Sequence, residues 1–320
     1  MVNAASRRVT LFCSRACAPF CRDRRLTPPR ALAVFSIALG MFVGLNSAHA
    51  DKSLGLGIEA GITVDDNVTR GYGDGNVLSD QFLGVNFSKS LHYPFSTHAR
   101  AALLGFAGLN SYFEYNGLSH YYAGVQGEFQ YRTSGSFYAP TLALAVRTAI
   151  EEYQSEARDG YRSSAWVSVR KPITDKLQLF SALTYNRRDG KSAVFDTSDI
   201  ALRVSADFVA SRRNTIYLGL EYRDGDIVST GWPSTAYTDI ASAIVPDDAF
   251  EGTTRYAYKI DGSTWMLNLG YNFAINERQA LDVSWRMVNA TPASVSGASY
   301  AAGRIHYTVN QLSLAYMVRF

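Results

Sequence analysis

Leu54-Gly55-Leu56-Gly57-Ile58-Glu59-Ala60-Gly61-Ile62-Thr63-Val64 contains two interleaved series. Leu54, Leu56, Ile58, Ala60, Ile62 and Val64 are apolar; Gly55, Gly57, Glu59, Gly61 and Thr63 are small or polar. A strand turns successive side chains to opposite faces, so this segment has one apolar and one polar wall. The same period recurs downstream. Tyr161, Ser163, Ala165, Val167 and Val169 alternate with Arg162, Ser164, Trp166, Ser168 and Arg170. Ile200, Leu202, Val204, Ala206 and Phe208 alternate with Asp199, Ala201, Arg203, Ser205 and Asp207.

Extended along the chain, the pattern predicts twelve strands, near 53–64, 81–92, 97–110, 119–132, 138–152, 161–171, 177–188, 198–209, 215–223, 255–273, 280–290 and 304–320. Short turns alternate with longer polar loops, the longest at 224–254. An even number of strands, with short and long connections at opposite ends, is the layout of a transmembrane antiparallel up-and-down β-barrel. A soluble β-sandwich also alternates. The barrel is favoured by small residues on the polar face and by tyrosines near strand ends: Tyr121, Tyr131, Tyr161, Tyr185, Tyr222, Tyr256, Tyr271, Tyr307 and Tyr316. Two strands change phase, at Asp261-Gly262-Ser263 and at Asn310-Gln311, and the first change suggests a bulge or a turn.

The composition sharpens once it is divided. The chain has 31 Lys and Arg against 28 Asp and Glu, and three cysteines. Seven of those basic residues, one acidic residue and all three cysteines lie in residues 1–50. There an Arg-rich stretch precedes the apolar run at 31–45, and Ala48-His49-Ala50 follows as a small-x-small site. This is the layout of a secretory signal peptide cut after Ala50, leaving residues 51–320 as the barrel. That remainder has 24 basic residues against 27 acidic ones and no cysteine. Thiolate metal sites and disulfides are excluded from it, and the concentrated basic surface that nucleic acid requires is absent.

The C-terminal segment, in which Leu312, Leu314, Tyr316, Val318 and Phe320 alternate with polar or small residues, resembles the assembly signal of Gram-negative outer-membrane barrels. Gly61-Ile62-Thr63-Val64-Asp65-Asp66-Asn67-Val68 is similar to the first-hairpin pattern of proteobacterial β-barrel porins whose individual functions are mostly unassigned. The resemblance implies an outer-membrane location, lipid and lipopolysaccharide as surroundings, and assembly machinery that reads Leu314, Tyr316, Val318 and Phe320. It implies no cofactor.

Lys or Arg facing lipid at mid-membrane costs about 2–4 kcal/mol, so mid-strand charges are expected inside. Four adjacent strands then contribute a basic arc of Arg147, Arg162, Arg170, Arg188 and Arg203. Carboxylates are expected inside at Glu59, Glu128, Asp199, Asp207, Glu221 and Asp282. The expectation is a non-enzymatic, porin-like channel for small polar solutes, anions among them. Twelve strands lie between barrels filled by side chains and those that leave a water channel. A surface structural or adhesive barrel without an open pore is therefore the alternative.

Hydrolases are a further alternative. His306-Tyr307-Thr308 with Asn310 is the nearest approach to a barrel phospholipase's His-x-Ser and Asn, and its parity suggests an inward position. Asp65, Asp66 and His120 are candidates for an aspartate–histidine protease site at the outer rim. Acidic groups at Asp65, Asp66, Asp74 and Asp80, at Asp224 and Asp226, and at Asp247 and Asp248 are either solvated loop or candidates for Ca²⁺ or lipopolysaccharide bridging.

Overall fold

The computed structural model describes residues 55–73, 75–250, 254–293 and 305–320. The signal-peptide site at Ala48 and Ala50, and Asp74, lie outside the described residues.

Among the described residues, thirteen strands form one sheet. They are β1 (Leu56–Asp65), β2 (Asp80–Pro94), β3 (Ala99–Tyr112), β4 (His120–Arg132), β5 (Thr141–Tyr153), β6 (Gly160–Pro172), β7 (Leu177–Gly190), β8 (Thr197–Val209), β9 (Asn214–Gly231), β10 (Ala241–Pro246), β11 (Tyr256–Ala274), β12 (Gln279–Pro292) and β13 (Tyr307–Arg319). Each of the twelve predicted strands is present. They close into an antiparallel barrel: β13 pairs with β1, and β9 pairs past β10 with β11. Closure leaves no unpaired backbone edge in the ring, the condition for crossing lipid with strands. Both ends of the chain's barrel segment meet at one rim, where Gly57 is opposite Arg319 and the Phe320 amide donates to the Leu56 carbonyl at 2.9 Å. The short turns share that rim.

Parity holds through the wall. Leu142, Leu144 and Val146 point outward and are about half exposed (47%, 57% and 59%), as are Leu183, Leu202 and Leu218 on other strands. Such an apolar band around a closed sheet is a lipid-facing surface. Leu314, Tyr316 and Val318 lie on this outer face, opposite Ile62, Ala60 and Ile58 of β1. Inside, glycines admit aromatic rings. A Cβ on Gly270 would lie 2.0 Å from the Tyr217 ring, and one on Gly124 2.5 Å from Phe106.

Three expectations need correction. β11 pairs with β9 in unbroken register from Tyr256 to Phe273, so there is no bulge at 261–263. β13 is likewise continuous across Asn310 and Gln311. In both strands the phase change arises because inward residues beyond that point, Tyr258, Ile260, Tyr307 and Val309, are buried under loops rather than facing a wet lumen. Tyr307 thus belongs to the interior and not to an aromatic girdle, whereas Tyr131, Tyr161, Tyr185, Tyr271 and Tyr316 are exposed. Finally, β9 runs eight residues past its predicted end, which shortens the long loop to residues 232–255 and places β10 within it.

Candidate functional site

Inward residues of β1–β9 line a cavity of about 650 Å³. Arg162 of β6 faces Arg188 of β7 directly across the ladder, and Arg147 of β5 is opposite Ser164, one inward position further along β6. Glu151, four residues beyond Arg147 on the same face, lies between the guanidinium groups. Its Oε1 is 3.0 Å from Arg162 Nε, and its Oε2 is 3.2 Å from Arg188 Nη2. The Tyr153 hydroxyl also donates to Oε2, at 3.3 Å. Arg147 has no carboxylate partner among the described residues; its guanidinium stands 3.9 Å over the Phe106 ring. Three cations therefore share one anion in this corner of the wall. In a low-dielectric enclosure that imbalance attracts anions more strongly than it would in water.

The remaining predicted charges are distributed elsewhere. Arg223 Nε bonds Glu221 at 2.5 Å, and its Nη1 is 3.9 Å from Asp199. Asp199 also accepts from Asn186 at 2.7 Å. Asp282 accepts from the Tyr217 hydroxyl at 2.8 Å and lines a second cavity of about 240 Å³, which Glu59 shares with the first. Glu128 accepts from Gln130. Asp207 is opposite Tyr217 in the β8–β9 ladder. Arg170 lies towards the short-turn rim, 5.7 Å from the Phe180 ring, and Arg203 is opposite Glu221 below the cavity. The expected arc of five arginines is thus a cluster of three with two outliers. Glu151 went unassigned, although its spacing from Arg147 signals the shared face.

A lid covers the outer mouth. The β8–β9 ladder ends at Asp199 and Gly225, while β9 and β11 stay paired to Gly231 and Tyr256. Gly225 has φ +142°, and a Cβ there would lie 2.4 Å from the Ser198 carbonyl oxygen. Beyond this kink, β10 takes the edge of β11 that β12 leaves at Pro292. In the resulting three-stranded projection β9 and β11 are buried on both faces near the tip, while Ser242, Ile244 and Pro246 of β10 stay exposed. Ser229, Tyr258 and Ile260 on one face, and Thr230 and Ala257 on the other, are 0–2% exposed. Loop residues cover β9 and β11 on both sides, and β10 carries the exposed edge.

Its contacts come from most of the rim. The Tyr237 ring stacks on Tyr258 at 4.5 Å, and its hydroxyl accepts from the Tyr72 amide. Thr230 donates its amide to the Thr69 carbonyl at 2.8 Å. Phe250 packs with Val68 and Leu118, and Phe195 with Ala257. Asp247 pairs with Arg158 at 2.5 Å and accepts from Thr230 Oγ1 at 2.7 Å; Asp248 accepts from Ser155. Beside the lid, burial alone would lower the Arg70 guanidinium, but its bidentate pair with Asp65 holds it above its ordinary value. Burial pulls Arg255, which bonds only loop carbonyl and amide oxygens, below its own.

The hydrolase constellations are not assembled. Thr308 and Asn310 point outward, bonding Asn289 and Asp66, because odd positions of β13 face in; this corrects the inward parity expected for them. The His306 ring packs on Tyr72 at 5.3 Å. Asp65 is paired with Arg70, Asp66 with Asn310, and His120 with Asn110 and the Leu118 carbonyl. Most of the acidic loop residues are structural acceptors, Asp80 of the Glu114 and Tyr115 amides and Asp226 of the Ser198 amide. Among the described residues no three His, Cys, Asp or Glu side chains stand together as a metal site.

No protein-family profile matches the sequence, and no curated protein is significantly similar to it. Solved structures are similar. The COG4313 outer membrane channel from Pseudomonas putida F1 matches with a TM-score of 0.50 at 10% identity, over 86% of this chain and 100% of that one. KdgM porin in complex with disordered oligogalacturonate matches at 0.42 and 10% identity, over 82% and 99%. A NanC porin matches at 0.42 and 8% identity, over 83% and 100%. At these identities the likeness concerns architecture alone. The fold is that of the outer-membrane β-barrel channels.

Proposed function

We propose that this chain is an outer-membrane channel of a Gram-negative bacterium that passes small polar solutes and prefers anions. It is not an enzyme. It sits among lipid and lipopolysaccharide, placed there by assembly machinery that engages Leu314, Tyr316, Val318 and Phe320. The observation that carries the reading is the cluster of Arg147, Arg162 and Arg188 around the single carboxylate of Glu151, on the wall of a cavity inside a closed barrel. Rings of basic side chains select anions in pores.

The test is conductance. Protein purified from membranes and placed in planar bilayers under a KCl gradient is expected to show an anion-selective reversal potential. R147Q/R162Q/R188Q is expected to shift that potential towards cations. The covered mouth favours one other reading, a closed surface barrel with a structural or adhesive role. No conductance above background, in the wild type and in a variant lacking residues 232–250 of the lid, would sink the channel reading in its favour.

A further inference from the structure

On the outer-membrane reading the short-turn rim is the periplasmic one, and it carries an arc of unpaired cations. Lys171 and Lys176 flank the β6–β7 turn, Arg212 and Arg213 form the β8–β9 turn, Arg278 is in the β11–β12 turn, and Arg319 ends β13. All six are exposed, and none forms an ion pair with another described residue. Only Asp175 and Glu277 oppose them within these turns. The arc is continuous. Backbone amides of Val209, Ala274 and Arg319 donate to the carbonyls of Lys176, Arg213 and Arg278, each at 2.8 Å, so each turn is tied to the next.

Its depth is marked by apolar neighbours. Ile173, Phe208, Ile275 and Phe320 are 36–45% exposed at the same rim. Large apolar side chains exposed at the end of a lipid-facing wall mark the edge of the hydrocarbon. Lys and Arg stems rooted there run along that edge and carry their charges to phosphate level. We infer that this arc binds the headgroups of anionic phospholipids in the periplasmic leaflet. Arginine donates to phosphodiester oxygens in pairs, and each basic residue at an anionic surface adds to retention. A membrane headgroup is the occupant, rather than free phosphate, because Lys171, on the outward parity of β6, and the turn residues Lys176, Arg212, Arg213 and Arg278 follow the membrane edge, with Arg319 at the inner lip of the same rim, and none of the six lines either cavity. The inference rests on the membrane placement of the barrel and not on its being a channel.

The experiment is native mass spectrometry of the membrane-purified protein in neutral detergent, supplied with phosphatidylglycerol or phosphatidylcholine. Phosphatidylglycerol is expected to be retained about tenfold better. K171Q/K176Q/R212Q/R213Q and, separately, R278Q/R319Q are expected to lower that preference, while K191Q at the opposite rim keeps it. Heat-modifiable migration on a denaturing gel verifies that each variant has folded. Equal retention of the two lipids by the wild type overturns the inference, as does an unchanged preference in both folded variants. Displacement of the lipid by millimolar inorganic phosphate, or tighter binding of a polyglutamate peptide, would assign the arc to a free anion or an acidic protein and also overturn it.

Discussion

Asp247→Ala is expected to release the lid without unfolding the barrel. The Asp247 side chain is wholly buried, and its partner Arg158 is 14% exposed. The Arg158 guanidinium is also held 4.4 Å from the Phe195 ring. Removing one member of a buried pair strands the other, a loss of about 3–5 kcal/mol. The Thr230 hydroxyl loses its acceptor in the same step. The penalty falls on the closed lid, because the barrel ladders do not involve this pair. It corresponds to a roughly hundredfold to several-thousandfold weaker closing equilibrium. Hydrogen exchange read by mass spectrometry should show amides of residues 226–246 losing protection while those of β2–β7 keep theirs. R158M/D247L, which removes both charges and refills the space, should recover most of the protection. Unchanged exchange in the single variant would refute the latch, and an equal loss in the double variant would refute the buried-charge reasoning behind it.

Three other outcomes are expected. Gly225→Ala places a side chain at φ +142° and 2.4 Å from the Ser198 oxygen, and should weaken lid docking by about 1–3 kcal/mol, measured by the same exchange. Gly270→Ala should push the Tyr217 ring off its seat and off Asp282, lowering barrel stability in urea by about 1–3 kcal/mol; an unchanged midpoint would show that the ring moves freely. Because Ser155 bonds Asp248, an S155C/D248C pair should form a disulfide that ties the lid to the β5–β6 loop. Single channels should then conduct less when oxidised than after reduction, and identical traces would mean that lid motion is irrelevant to conduction.

The barrel was legible because its wall obeys one physical rule. A strand between lipid and water has one dry face and one wet face, and Ile58, Ile62, Leu183 and Leu202 record that alternation directly. The same rule located Arg147, Arg162 and Arg188, since a guanidinium has no stable place against hydrocarbon at mid-membrane. It could not rank them. Arg170 and Arg203 satisfy the same parity, and only the height of each residue along its tilted strand separates them from the cluster. Glu151 was overlooked because it sits near the predicted end of its strand, where a carboxylate normally meets water. Here two guanidinium groups and the Tyr153 hydroxyl replace that water.

The lid was illegible for the converse reason. Its β9 and β11 segments are dry on both faces, so the alternation that reveals a wall strand is missing there: Ser229 and Thr230 are neighbours and both buried, as are Ala257 and Tyr258. The polar run Asp224-Gly225-Asp226 reads as the start of a loop, yet the pairing of β9 with β11 passes straight through it. Asp226 is satisfied there by the Ser198 amide and by Lys259, 3.3 Å from its carboxylate. The consequence reaches function. The projection and its loop touch the β1–β2, β3–β4, β5–β6 and β7–β8 connections, so a solute arriving from outside must pass beside it or displace it. Asp226 and Val228 of the same projection border the arginine-lined cavity. On the channel reading proposed above, access and selectivity belong to different residues: latch contacts such as Asp247 with Arg158 would set how often the cavity opens, and the three arginines which ions it favours once open. Changes at the two places should act independently, on open probability and on reversal potential respectively, and a latch variant that altered the reversal potential as much as R147Q/R162Q/R188Q would show that the lid and the wall form a single filter.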